Sequence, residues 1–383
     1  MIVMQTKALF IDAYRELNAK KLFWITMALT VLFALILATL GIDKEGISFL
    51  SFDISFIPLN SDIVEPKYFY LAVFSYLGIG VWLTWIATIL AIISTSGIIP
   101  DLVTEGVIEC MLARPISRVR LFLTKYSTGL MFVALQVSAF AILSMLIIWI
   151  RGGHFEPRIL LAIPIVVSFY SFLYCVTAFI GLISKSTMTA MLITGLFWAS
   201  LFVINLGESI IIQFEESTKL FVEGRQERID LARTNTIKLI QRAQESDDSD
   251  ATSYQPSEEE IQTQNPFLSQ LESDLEEDRK DLQALERWST AIYAVKTIVP
   301  KTNETIDLLN RELISDDAFS SEPEADESLI DPRAEINIDR QELSQNMNAR
   351  YRERSVWWVL GTSFIFEGFV LSLCCWRFSR RDF

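Results

Sequence analysis

In this largely apolar chain, few residues are of types that do chemistry. Glu367 is an acid in the middle of a long apolar run. A charge there is costly, so such residues mark a substrate pathway, a proton relay, or a protonated carboxyl bonded to a neighbouring helix. Asp101, Glu105 and Glu109 recur every four residues with Thr104 beside them, opposite Val103, Gly106, Val107, Cys110 and Met111. That spacing makes an amphipathic helix. Its acids stand in the first turns and Arg114 at the end, complementing the helix dipole, and Pro115 stops it. Such a helix lies along a membrane or fits a groove on another protein. His154, the single histidine, has no second imidazole for an HExxH pair and reads as a loop residue. The apolar runs offer neither paired carboxylates nor a serine with a base, which argues against an intramembrane hydrolase. No GxxxxGK[ST] loop is present to cradle a nucleotide. The chain is therefore not expected to be an enzyme.

The elements that must position these residues are spans. The 383 residues are 51% hydrophobic, too apolar for an ordinary soluble protein. A hydrocarbon core of about 30 Å needs about 20 apolar residues as helix, and six runs meet that length: Leu22–Leu40, Tyr68–Ile99, Phe122–Ile150, Leu160–Ile183, Met188–Leu206 and Val356–Trp376. The second and third exceed it, and Ser94 to Gly97 with Pro100 are natural places for the second to bend or stop. Residues 8–21 set Leu9, Phe10, Ala13 and Leu17 against Asp12, Arg15 and Glu16, as in a helix lying among lipid headgroups. The mixed segment before the first run is too long for the start of a cleaved signal peptide, so that run reads as a retained anchor.

A cytoplasmic N-terminus places twelve lysines and arginines inside and four, Lys44, Lys67, Arg151 and Arg158, in the short outer loops. The positive-inside bias then assigns both termini to the cytoplasm of a multi-pass protein in the cell (inner) membrane. Cys110, Cys175, Cys374 and Cys375 fall in spans or on the cytoplasmic side, so no disulfide framework is implied.

Residues 207–354 read differently. They hold 34 of the 47 acidic and 17 of the 33 basic residues, a net −17 against +3 for the rest. An even number of preceding crossings puts this insert outside. Its helical stretches are Glu208–Arg242, with a broken apolar face of Ile210, Ile211, Phe214, Phe221 and Ile229, and Pro266–Ile298, where Leu268, Leu271, Leu275, Leu282 and Leu285 fall at heptad-like steps interrupted by Asp278. Acidic stretches of low hydrophobicity join them, which suits an antiparallel, coiled-coil-like hairpin. KTNETID after Pro300 predicts a further short helix beginning at Thr302 or Asn303. The acidity argues against nucleic acid, which requires clustered Lys and Arg. The fold class is an all-α polytopic membrane protein: six spans (22–40, 68–99, 122–150, 160–183, 188–206, 356–376), an interfacial helix at 8–21, a cytoplasmic helix at 101–114, a mostly helical insert at 207–354, and a cytoplasmic tail.

Glu105-Gly106, Leu112, Pro115-Ile116-Ser117-Arg118 and Lys125 resemble the pattern of ABC-2 type transporter permeases in the segment linking their second and third spans. The six spans and the closing Arg-Arg-Asp-Phe are similar too. Val107 stands where the family commonly has Thr, and the insert before the last span is longer than usual. The resemblance implies a coupling helix that docks a separate ATP-hydrolysing subunit through Glu105, Gly106, Glu109, Leu112, Arg114, Pro115, Ser117 and Arg118. It also implies an exporter with no cofactor bound directly, ATP acting through the partner subunit, and a second permease copy, identical or similar, completing a twelve-helix pathway. Within the family the likeness is to permeases linked with the maturation of multicopper enzymes. The outer regions nonetheless offer only His154 and Met347 as soft ligands, a poor set for copper. The alternative is a membrane-anchored scaffold whose acidic hairpin recruits an extracytoplasmic protein at 207–354.

Overall fold

A chain this apolar can satisfy its backbone in a bilayer only as helices or a closed barrel, and it forms helices. The computed structural model describes residues 11, 15, 21–44, 46–50, 52–54, 64–103, 117–245, 255–313 and 340–380. Among them, six helices are long and apolar enough to cross a membrane. They are α1 (Lys21–Ala38), α2 (Pro66–Leu102), α3 (Arg118–Gly152), α4 (Pro157–Ser184), α5 (Thr187–Glu245, apolar in its first part) and α10 (Trp357–Ser379). Shorter or more polar are α6 (Glu258–Gln264), α7 (Phe267–Ile298), α8 (Thr302–Leu313) and α9 (Arg340–Arg352). Exposed Trp357 and Trp376 flank the sixth span nineteen positions apart, about 28 Å of helix, close to one hydrocarbon thickness. The chain divides into two compact units: Met1–Phe202 with Thr297–Ser320 and Ser355–Phe383, and Val203–Lys296 with Ser321–Arg354.

In the first unit α4 is central. Beyond Arg158 it carries no charged residue, so no face of it needs solvent, and it packs on α3, α10 and α8. Two stretches depart from α-helical register. Phe74–Ala87 in α2 and Trp357–Gly361 in α10 are π-helical. The hydroxyls of Thr84 and Thr88 donate to carbonyls five residues back, Ile79 and Leu83, each at 2.8 Å. The α-helical part of α2 from Thr88 ends at Thr95, and the chain resumes at Ile98–Leu102 after Ser96 and Gly97. α3 begins at an N-cap, Ser117, whose hydroxyl accepts from the Arg120 amide, and ends at left-handed Gly153 (φ 71°).

Two features go beyond the expected helices. β1 (Leu40–Asp43), β2 (Gly46–Phe49) and β3 (Phe52–Ile54) form an antiparallel meander with Ile47 opposite Ile42 and Ile54. The Leu40 carbonyl closes it onto the bundle, accepting from the Tyr70 hydroxyl and from Arg151 Nη2, each at 3.2 Å. The second feature is the placement of α8: a short helix is expected after Pro300, but it belongs to the same unit as the spans. It seats Ile306, Leu309 and Leu313 in their core, against α4, α2 and α10.

In the second unit, the ion pairs of α5 run in opposite sequence directions. Glu208 meets Lys296, Arg225 meets Asp274 and Asp278, and Arg233 meets Glu258 just before Phe267. The hairpin between α5 and α7 is therefore antiparallel. Ile229, Ile261, Leu268, Leu271 and Leu275 form its core. Ile210, Phe214 and Phe221, which the sequence pattern places on the inner face, are exposed. Asp278 breaks the leucine heptads because it faces Arg225, 2.8 Å away.

Arg350 of α9 forks onto Glu215 Oε2 (2.9 Å) and Glu216 Oε1 (2.7 Å) of α5 and donates to the Ser289 hydroxyl of α7 (2.9 Å), while Lys219 joins both acids. Burial pushes the Glu215 carboxyl up, but the hydrogen bond and charge of Arg350, with Ser289 and Lys219, outweigh it and hold the group below the ordinary carboxylate value. A depressed folded value contributes stability that is complete above the unfolded value and is lost as pH falls through the folded one. Amide exchange in α9, corrected for intrinsic rate, is thus expected to stay flat from neutral pH to about pH 4.3, the ordinary glutamate value, and to accelerate below it. Acceleration on the alkaline side instead would contradict the role of Glu215.

Candidate functional site

Two places carry the residues singled out by sequence. The first is the segment between α2 and α3. Glu105, Gly106, Glu109, Leu112, Arg114 and Pro115 lie outside the described residues, as does the expected interfacial helix at 8–21 apart from Ile11, Arg15 and Lys21. Ser117 and Arg118 are described, and both serve α3 and its neighbours. Ser117 is the cap of the span, and Arg118 Nη1 donates to the Ser379 carbonyl at 3.2 Å. One turn further on, the Phe122 ring meets Phe378 at 5.8 Å. The end of the motif is thereby fastened to the last turn of α10. A cationic side chain at the final carbonyls of a helix also meets the negative end of its dipole.

The second place is Glu367, which lies halfway along α10 and is buried. Its Oε1 is 2.8 Å from the Tyr126 hydroxyl of α3, and its Oε2 is 2.8 Å from the Ser171 hydroxyl of α4. The Tyr126 hydroxyl is also 3.1 Å from the Ser171 carbonyl oxygen. Three spans therefore meet at one carboxyl. Tyr126 stacks on Tyr174 (5.0 Å between centroids), which stacks on Tyr170 (5.5 Å), whose hydroxyl reaches Thr95 of α2 at 2.5 Å. Tyr170, Ser171, Tyr174 and Cys175 share one face of α4, because positions i, i+1, i+4 and i+5 fall together at 3.6 residues per turn. A charge at the bilayer centre costs about 2.5–3.5 kcal/mol on insertion scales, so a polar face of this kind must close on itself.

Further polar ties were not singled out in the sequence. Buried Lys301, between α7 and α8, places Nζ 2.5 Å from Thr362 Oγ1, 3.2 Å from the Val299 carbonyl and 4.6 Å over the Trp358 ring. Its own amide donates to Ser363 Oγ at 3.0 Å, so the start of α8 is anchored on α10 just past its π-helical turn. Gln136 donates to Thr30 at 3.1 Å, and the Thr177 and Thr194 hydroxyls are 3.0 Å apart, joining α3 to α1 and α4 to α5. The only sequence signal for such ties is a polar residue on an otherwise apolar span face. His154 is exposed, with Nδ1 3.1 Å from the Gly152 carbonyl. Among the described residues, no group of three or more His, Cys, Asp or Glu is placed to hold a metal ion.

No family model, curated protein or solved structure matches the chain, and its own residues give its class: a polytopic, largely helical membrane protein, with six long apolar helices among the described residues.

Proposed function

We propose that the chain is the membrane-spanning permease subunit of an ABC-2 type transporter, an exporter energised by a separate ATPase subunit. The observation that carries this reading is the Glu105-Gly106 … Leu112 … Pro115-Ile116-Ser117-Arg118 pattern between the second and third of six apolar helices, in a chain with no nucleotide loop of its own. Glu105, Glu109 and Arg114 supply charge for register and recognition of the ATPase, with Gly106, Leu112 and Pro115 shaping the contact. The fastening of Arg118 to the end of α10 gives docking a direct mechanical consequence for the last span. A second copy of the chain, or a similar permease, completes the pathway in the cell membrane, with both termini in the cytoplasm. In the competing reading, a scaffold, the hairpin recruits an envelope protein; it is favoured by the apolar side chains that the second unit exposes, Trp288 and Leu239 among them.

The test is affinity capture of the tagged full chain from its host membrane after gentle solubilisation, comparing wild type with Glu105→Lys, Glu109→Lys. Arg118 is left intact because its loss would also disturb α10. A P-loop ATPase captured by the wild type and depleted at least tenfold by the variant is the expected outcome. If no ATPase is captured, or capture is insensitive to the charge reversal, the permease reading fails. A single envelope protein lost on deletion of 246–264 would then favour the scaffold.

A further inference from the structure

The hydrogens around Glu367 do not suffice if its carboxyl is ionised. The Tyr126 and Ser171 hydroxyls bring one hydrogen each, yet each oxygen has two acceptors in reach. Tyr126 faces Glu367 Oε1 (2.8 Å) and the Ser171 carbonyl (3.1 Å), and Ser171 faces Glu367 Oε2 (2.8 Å) and the Ser168 carbonyl (2.8 Å). Two hydrogens thus serve four short oxygen–oxygen contacts. A third hydrogen, on Oε1, resolves most of them in sequence. The acid donates to the Tyr126 oxygen, Tyr126 donates to the Ser171 carbonyl, and Ser171 donates to Oε2. Only the Ser171 contact with the Ser168 carbonyl is then without a hydrogen.

Charge points the same way. The hydroxyls bonded to Glu367 are those of Tyr126 from α3 and Ser171 from α4, and Cys175 of α4 lies near it. None of them is cationic. Among the described residues, no Lys, Arg or His pairs with Glu367. Lys301, near α10 one turn away, is bonded to Thr362 and to backbone carbonyls. Lys125 adjoins Tyr126 in sequence but lies about 100° round α3 from it.

We propose that Glu367 is a proton-binding site: a neutral carboxylic acid, at neutral pH, holding one proton shared among the third, fourth and sixth spans. The proton lets α10 be held by polar contacts without a net charge in the membrane, and separating α10 from α3 and α4 removes both the acceptor for that proton and the donor to Oε2. This inference is independent of what the chain transports.

Infrared spectroscopy of the full chain in lipid vesicles at neutral pH, wild type minus Glu367→Gln, tests it. The expected difference is loss of one protonated-carboxyl C=O stretch with the carboxylate band unchanged. Loss of carboxylate intensity with no change in the carboxylic-acid region would overturn the proposal. Should Glu367→Gln fail to fold, Tyr126→Phe decides instead. Removing the acceptor of the acid proton is expected to shift the acid C=O band, whereas a shift confined to the carboxylate band would show that the group is ionised.

Discussion

Replacing Glu208 with alanine is expected to destabilise the second unit by about 3–5 kcal/mol, the cost of breaking a buried ion pair by removing one partner. Glu208 is 4% exposed and stands between two cations, with Oε2 2.5 Å from Lys296 Nζ and Oε1 2.7 Å from Arg354 Nη2. Lys296 is 3% exposed, so its charge relies on partners inside the fold, and alanine would leave two positive charges facing each other across the vacated site. The effect is local, so amide exchange in the last turns of α7 is the suitable readout. At about 1.4 kcal/mol per decade, exchange is expected to accelerate by about two to three and a half orders of magnitude. Breaking the Arg233 to Glu258 pair sets the scale. Both of its side chains are solvent-exposed, and Arg233→Ala is expected to cost less than about 1 kcal/mol. A Glu208→Ala effect as small as that of Arg233→Ala would show that the buried cluster is not what ties Lys296 and Arg354 to α5.

How much of this architecture is legible in the sequence depends on the length over which each feature is encoded. Spans are encoded over about 20 residues of uniform hydropathy, and six long apolar helices are found among the described residues. The meander is encoded in strands of three or four residues, Leu40–Asp43, Gly46–Phe49 and Phe52–Ile54, too short for a period of two to rise above chance. The π-helical register of Phe74–Ala87 leaves no trace in an apolar run whose faces are all alike. α8 is misleading in the opposite sense. Thr302, Glu304 and Thr305 give it the look of the surrounding acidic insert, yet these side chains are buried in the unit of the spans. Glu367 stands out because it is acidic in a run of apolar residues, while its partners Tyr126 and Ser171 are ordinary in such runs and lie 241 and 196 residues away. The sequence names the demanding residue, and only the tertiary fold names what meets the demand. The residues carrying the docking motif, 105 to 115, lie outside the described ones, so that reading rests on the sequence and on the contacts of Ser117 and Arg118.

Gly129→Ala is expected to be the most damaging single-methyl change in the membrane bundle. A Cβ built at Gly129 would lie 2.4 Å from Tyr174 Cζ, 2.5 Å from Cε1 and 2.6 Å from the hydroxyl oxygen, separations that real Cβ atoms do not adopt. The ring has nowhere to retreat, because Tyr174 is fully buried and stacked on both Tyr126 and Tyr170. α3 must therefore move away from α4, and Tyr126, one turn before Gly129, must move with it. The cost expected for overpacking is about 1–3 kcal/mol, plus whatever is lost as the Tyr126 contact with Glu367 lengthens. The control is Gly368→Ala on α10, next to Glu367, where an added Cβ meets nothing within 4 Å. There, helix propensity favours alanine by about 0.5–1 kcal/mol, and the melting temperature is expected to hold or rise. Thermal melts of the two variants in the same detergent are expected to separate, with Gly129→Ala lower. Rescue of Gly129→Ala by Tyr174→Leu, which exchanges the crowded ring for a shorter side chain, would assign the loss to this contact. Equal melting of Gly129→Ala and wild type would mean that α3 and α4 do not approach as closely as the tyrosine stack requires, and the Glu367 geometry that depends on that approach would fall with it.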